Sequence, residues 1–244
     1  MFRKGLFLLV LTISALFMSA AGLTDDYVPP RIGECLEYKL FVKSMMHGAD
    51  QSVRVVEATF YRERPVLVIQ SKMDTVGLVQ VLTKYQETEE IILDLEGLYP
   101  WVIRRIISDK DGSETEEVIF DYSKGTAVRT VSKNGGPKQR SEIKVPGYVQ
   151  DVLSLQFYLR KNTSLGDNQI YFYSDGEIKE ISYQATASKE PLNLECGRFE
   201  QHYQIDNREK KITILLADTP ERYPLVIRKI DKIGKIEAKL NTIK

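Results

Sequence analysis

The sequence is short of the residues from which metal centres and nucleophilic active sites are usually built. Its 244 residues hold two histidines, two cysteines and one tryptophan. His47 falls in the turn-like Met45-Met46-His47-Gly48, and His202 in a strand-like stretch. Neither shares with Cys35 or Cys196 the short ligand spacing of structural zinc sites. Ser154 has no histidine near it in sequence and no nucleophile-elbow glycine pattern around it. Asp109-Lys110-Asp111-Gly112 lacks the alternating oxygen ligands and distal Glu of a calcium loop and reads as an Asp-Gly hairpin turn. Asp167, Asp175 and Asp218 are candidates for paired acids in glycan cleavage. Each, however, sits in a turn-like context, where Asp bonds to nearby backbone. The sequence therefore nominates no catalytic residue, no metal ligand and no cofactor.

An excess of one charge is also missing. Lys+Arg and Asp+Glu number 34 each. That balance argues against a generally basic nucleic-acid binder. There is no repeat of fixed period, no low-complexity tract and no succession of βαβ units. Beyond the N-terminus, no run is long and apolar enough to span a bilayer, which takes about 20 residues.

What is present begins with an export signal. Arg3 and Lys4 form a basic start, Leu6 to Met18 is an apolar run broken by Thr12 and Ser14, and Ser19-Ala20-Ala21 is small. This reads as a cleaved secretory signal peptide over residues 1–21; an uncleaved anchor is the alternative. No cysteine sits near the cut, which argues against a lipid-modified N-terminus. Without residues 1–21 the chain has two fewer cations and no fewer anions, so 32 basic residues face 34 acidic ones, a net charge of −2. The expectation is a single β-rich domain over residues 22–244.

Strand patterns dominate that domain. Leu36, Tyr38, Leu40 and Val42 alternate with Glu37, Lys39 and Lys43, as in a half-buried strand. Val53–Tyr61 and Pro65–Met73 flank Arg62-Glu63-Arg64 as a hairpin. Val76–Leu82 fits either a strand or a helical turn. Further strands are expected at 85–93, 101–107, 116–122, 127–132, 142–145, 170–173, 178–187, 194–205, 212–216, 225–230 and 236–240. About a dozen strands with frequent turn signals imply mostly antiparallel sheet. One long helix interrupts them, near 151–161, with Asp151 as its N-cap. Val152, Leu153, Leu155, Phe157, Tyr158 and Leu159 cover several of its sides, so it should be buried. The predicted fold is mainly β: a large, strongly curved antiparallel sheet or sheets, half-barrel or sandwich, around one central buried helix.

The segment from Asp151 to Arg160 (DVLSLQFYLR), followed by Leu165-Gly166-Asp167, resembles the central motif of the domain-of-unknown-function 3108 family of bacterial exported proteins. Gly33-Glu34-Cys35-Leu36-Glu37-Tyr38 is similar to its opening strand, and Gly197-Arg198-Phe199 to its Gly-x-Phe segment. Leu216-Ala217-Asp218, Arg222-Tyr223-Pro224-Leu225 and Gly234 are similar to its closing strands. The resemblance covers about residues 32–242. It implies an envelope address, with the periplasm as the expected compartment, and a β-rich fold. It carries over no catalytic residues. Cys35 and Cys196 depart from the family's pattern. An oxidising compartment allows them to pair; the alternative is two free thiols that never meet.

Three functional readings follow. The first is a non-catalytic protein that binds an apolar or amphiphilic ligand, such as a lipid, with Leu155, Phe157 and Tyr158 lining the cavity. The second is an envelope structural or assembly protein. It would act through a protein partner or an anionic surface partner at Lys232, Lys235 and Lys239, with Arg104 and Arg105 as additions. The third is a hydrolase of envelope glycan or lipid. Oligomeric state is not legible.

Overall fold

The computed structural model describes residues 27–43, 45–209, 211–231 and 234–244; the predicted signal peptide and Lys232 lie outside them. In chain order the first half comprises β1 (Cys35–Val42), β2 (Met46–Tyr61), β3 (Arg64–Thr75), helix α1 (Gly77–Thr83), β4 (Gln86–Asp94) and β5 (Pro100–Asp109). It continues with β6 (Gly112–Asp121), β7 (Thr126–Lys133) and β8 (Gln139–Lys144). A short β9 (Val149–Gln150) leads into helix α2 (Val152–Asn162). After it come β10 (Gly166–Ser174), β11 (Glu177–Ser188), β12 (Leu192–Leu194), β13 (Gly197–Phe199) and β14 (His202–Asn207). The last strands are β15 (Ile212–Ala217), β16 (Pro224–Asp231) and β17 (Gly234–Ile243).

Fifteen strands make one sheet, in the order β8-β7-β6-β5-β4-β3-β2-β1-β17-β16-β15-β14-β11-β10-β9; β12 and β13 form a separate hairpin. All neighbours in the large sheet are antiparallel except the two-residue β9–β10 contact. Hairpins account for most of the order. In one of them Arg62 and Glu63 both take left-handed backbone (φ 49° and 64°), the conformation a two-residue hairpin loop favours. The two halves of the chain meet where β1 pairs with both β2 and β17.

The sheet is strongly curved but not closed. Arg129 on β7 donates to the Tyr173 hydroxyl on β10 at 3.2 Å, and that hydroxyl donates to Glu116 on β6 at 2.7 Å. Strands near opposite ends of the sheet order therefore touch. Side chains directly opposite on paired strands share a face, so the register separates inside from outside. Leu36, Tyr38, Val53, Val55, Leu67, Ile69, Ile91, Leu93, Ile103, Val118 and Phe120 form the inner apolar core of the first half. Ile170, Ile181, Ile205 and Ile214 do the same in the second half.

Helix α2 runs down the concave side. Asp151 caps it with a capping box: the Ser154 N–H donates to the Asp151 carboxylate and the Asp151 N–H donates to the Ser154 hydroxyl, both at 2.9 Å. Ser154 is thus part of the cap. At the far end Arg160 is 1% exposed. Its guanidinium pairs with Glu34 and donates to the Glu221 carbonyl at 2.7 Å. It also lies over the rings of Phe157 and Tyr223.

The predicted curved sheet and central helix are observed. The strand inventory is refined. Val76–Leu82, left open between strand and helix, falls on α1. The stretch 194–205 belongs to three strands, β12, β13 and β14, and β9 had no sequence signal of its own. Leu153 and Phe157, four residues apart, face the first-half core. Leu153→Ala and Phe157→Ala should each cost about 3–5 kcal/mol, and Leu155→Ala about 2 kcal/mol or less, because Leu155 borders empty space. Denaturant unfolding of the three variants checks the order; an equal loss at Leu155 would contradict it.

Candidate functional site

Two faces of α2 meet two different walls. Leu153 and Phe157 belong to the larger core cluster, built mainly on β1–β7 with residues of β15–β17. Val152, Leu155 and Leu159 turn towards β10–β16, where the wall is built of Ile170, Ile181, Ile205, Ile214 and Ile227. The helix stands off this second wall and leaves a cavity of about 370 Å³. Its bottom is apolar. Its mouth carries Ser174, Asp175, Glu177, Lys179, Asn207 and Lys229. Lys179 is paired with Glu177. Burial pushes the Tyr183 hydroxyl in the wall well above its ordinary pKa.

A second chamber of about 290 Å³ adjoins the first and shares Val152, Gln156, Ile227 and Lys229 with it. Its far wall is polar: Gln51, Ser71, Glu87, Glu89 and Arg105. These are inward positions of the same strands that supply the apolar core. Glu89 is opposite Arg105, as Ile91 is opposite Ile103. Arg105 reaches Glu89 at 2.7 Å, Glu87 at 3.2 Å and Glu116 at 3.6 Å. Burial opposes its charge, but Glu89, Asp151 and Glu87 around it hold the guanidinium firmly protonated. Arg129 pairs with Glu116, and the Tyr85 hydroxyl donates to Glu87.

Glu89 also meets a second carboxyl, that of Asp151. They are 6% and 0% exposed. One Asp151 oxygen accepts from Ser154, while the other is buried without an N–H or hydroxyl donor. Burial, and then the Asp151 charge, push the Glu89 carboxyl well above its ordinary value of 4.5. A protonated Glu89 supplies the donor that Asp151 lacks. That contact fastens the helix N-terminus to β4. The two carboxyls touch, whereas glycoside hydrolysis needs a separation of about 5 Å or more.

The residues singled out in the sequence are dispersed. Leu155 lines the cavity; Phe157 lies in the first-half core, and Tyr158 packs between the two cores. Cys35 and Cys196 are free thiols. Cys35 is buried in β1, while the Cys196 thiol on the β12–β13 turn donates to the Leu240 carbonyl at 3.4 Å. Lys235 and Lys239 share the outer face of β17, where both approach the buried Glu237 together with Arg228. Burial would raise the Glu237 carboxyl, but hydrogen bonds from Lys235 and Arg228 hold it below its ordinary value. Arg104 and Arg105 do not join this surface. Arg104 sits between Glu90 and Glu117 on β5, and Arg105 points inward. His47 contacts Asp50 at 2.7 Å. His202 is buried, and desolvation lowers its pKa. Asp109 accepts from its own turn, Asp175 lies at the cavity mouth, and the Asp218 carboxylate accepts from Tyr203. Asp167 is at the opposite end of β10 from Asp175. Among the described residues no three His, Cys, Asp or Glu side chains form a metal-binding group. A larger hollow of about 710 Å³, lined mainly by Asp167, Asn168, Gln184, Asp206 and Arg208, offers no comparable apolar surface.

An open antiparallel sheet curled around one helix places the chain among β-barrel-like proteins. A β-barrel-like protein of domain of unknown function DUF1849 from Brucella abortus shares the fold. Its TM-score is 0.54 at 9% identity, over 89% of this chain and 99% of that one. Residues 37–241 match the DUF3108 family, proteins of unknown function, and the chain belongs to that family. Weaker likenesses include a DUF1089 family protein from Pseudomonas aeruginosa (TM-score 0.41, 11% identity, 73% of this chain and 88% of that one). Another is a candidate exported protein with a YmcC-like fold from Bacteroides fragilis (0.35, 10%, 89% and 98%). At those scores neither carries an argument about this chain. No curated protein matches it.

The raised Glu89 carboxyl has a pH signature. A raised carboxyl pKa adds stability that is full below 4.5 and is lost as the pH climbs through the folded-state value. Glu89→Gln keeps a donor for Asp151 at every pH. Between pH 4.5 and 8, urea midpoints of the wild type should fall relative to those of the variant. Parallel profiles would show that Glu89 is not held neutral.

Proposed function

We propose that the chain is an exported envelope protein that binds an apolar or amphiphilic molecule, such as a lipid, beside α2 and performs no chemistry on it. The carrying observation is the roughly 370 Å³ cavity between Leu155 and the isoleucine wall of β10–β16. Its size is within the usual range for ligand sites, about 300–1,000 Å³, and its lining is mostly apolar with a few polar groups at one end. Lys229, shared by both chambers, is placed to meet an anionic head group while a tail lies along the isoleucines. The export address rests on residues 1–21, with the periplasm as the compartment. Residues 22–244 then form the working domain. The hydrolase reading lacks a constellation: Asp167 and Asp175 lie at opposite ends of β10, and the Glu89–Asp151 pair serves the helix cap.

Native mass spectrometry after mild purification tests the proposal. The wild type should retain an amphiphile or take up a long-chain fatty acid. Ile214→Lys, which puts a charge into the apolar wall, should lower uptake by about tenfold or more. Recovery of only ligand-free protein together with no uptake would sink it.

A further inference from the structure

The sheet has two rims, and they differ. At one, Arg160, Glu34 and the 221–223 loop seal the end of α2. At the other, the cavity mouth opens beside the β10–β11 turn and Lys229. Helix α1 sits on the open rim, because it joins the end of β3 to the start of β4, next to the β1–β2 turn.

The inward face of α1 is already used. The Val79 side chain lies over Gly48 and Val42, so close that a Cβ at Gly48 would meet its methyl at 3.2 Å. The Thr83 hydroxyl donates to the Val79 carbonyl at 2.8 Å. Leu78, Val81 and Leu82, at helical spacing on the other face, are 72%, 73% and 68% exposed. Met45 in the β1–β2 turn and Met46 at the start of β2 are 86% and 44% exposed on the same rim.

Three lysines flank this apolar ridge. The Lys84 N–H closes the last turn of α1 on Gln80, the Lys110 N–H bonds the Thr83 carbonyl, and Lys43 precedes the β1–β2 turn. Among the described residues none of the three forms an ion pair. Nearby carboxylates are engaged locally. Asp109 accepts from the N–H groups of Asp111 and Gly112, and Asp74 pairs with Lys72 and accepts from Gln86. Asp111, next to Lys110 in sequence, has no such partner among the described residues.

We propose that this ridge docks the open rim on an anionic lipid surface. Leu78, Val81, Leu82 and Met45 would enter the boundary between head groups and acyl chains. Lys43, Lys84 and Lys110 would lie at the level of the phosphates. These four apolar side chains fall well short of the roughly 1,000 Å² that a stable interface between two proteins needs, but they suit a lipid surface reinforced by charge. Docking does not depend on the cavity reading. The consequence that docked protein presents its cavity mouth to the membrane does.

Vesicle sedimentation of the chain lacking residues 1–21, which keeps every described element, tests the docking. Binding to phosphatidylglycerol-containing vesicles should exceed binding to pure phosphatidylcholine by about tenfold or more. The exposed-face triple variant Leu78→Ser/Val81→Ser/Leu82→Ser should abolish it. Lys43→Gln/Lys84→Gln/Lys110→Gln should remove the preference for anionic lipid. Fatty-acid uptake should be unchanged in both variants, since none of these residues lines the cavity, so loss of docking is separable from loss of the ligand site. No vesicle binding, or binding that the leucine–valine variant leaves intact, overturns the proposal. So does a wild-type dimer in sedimentation velocity that the same variant disperses, because the ridge would then belong to a second copy.

Discussion

The structure depends on one buried ion pair, Arg160 with Glu34. A guanidinium that is 1% exposed is tolerable only if its charge and donors are met. Glu34 meets the charge and Glu221 takes a further donor, while Arg222 donates to the Arg160 carbonyl at 3.1 Å. The segment before β1, the loop before β16 and the end of α2 are thereby tied at one point. Removing either charge would leave the other buried alone, which is the costly case. The opposite end of α2 is tied by a different device, the Asp151 cap against Glu89. With both ends fixed, the helix cannot settle evenly between the two walls. It leans on the β1–β7 core through Leu153 and Phe157. The gap opens on the other side.

The charged cluster at the open end has a structural cause of its own. In β4, β5 and β6 the inward positions run from Leu93, Ile103 and Phe120 at the sealed end to Glu87, Arg105 and Glu116 at the open end. Desolvation disfavours charge on Glu89 there, while Arg105 pairs with Glu87 and Arg129 with Glu116. Arg129 and Tyr173 carry the cluster across to β10 and hold the two margins of the sheet together without closing it. The interior therefore holds an apolar chamber under β10–β16 and a second one under β2–β6 whose lining is also largely apolar but carries the charged cluster on one wall.

Much of the fold was legible in single residues. The alternation of Leu36, Tyr38 and Leu40 with Glu37 and Lys39 gave β1 and its inner face. Asp151 and the apolar run after it gave α2. The charged cluster was legible in part, because Glu116 has the same parity as Val118 and Phe120, and Glu89 the same parity as Ile91 and Leu93. A strand's inner face can be followed past its last apolar residue, and Glu89, Arg105 and Glu116 could have been found that way. The cavity could not. Leu155 and Phe157 look alike in sequence and lie on opposite sides of α2; which side meets a filled core and which an open space depends on the distant strands packed against each. Arg160 gave no local sign that its partner lies 126 residues away. The two-residue β9 is defined by its neighbour alone.

The central claim is that the space between α2 and the isoleucine wall is a ligand site. The most direct measurement is photolabelling with a fatty acid that carries a diazirine in its acyl chain, followed by peptide mapping. The account predicts adducts on Leu155, Ile170, Ile181, Ile205 and Ile214, competed by unlabelled fatty acid. Adducts confined to the exterior, or none that compete, would contradict it.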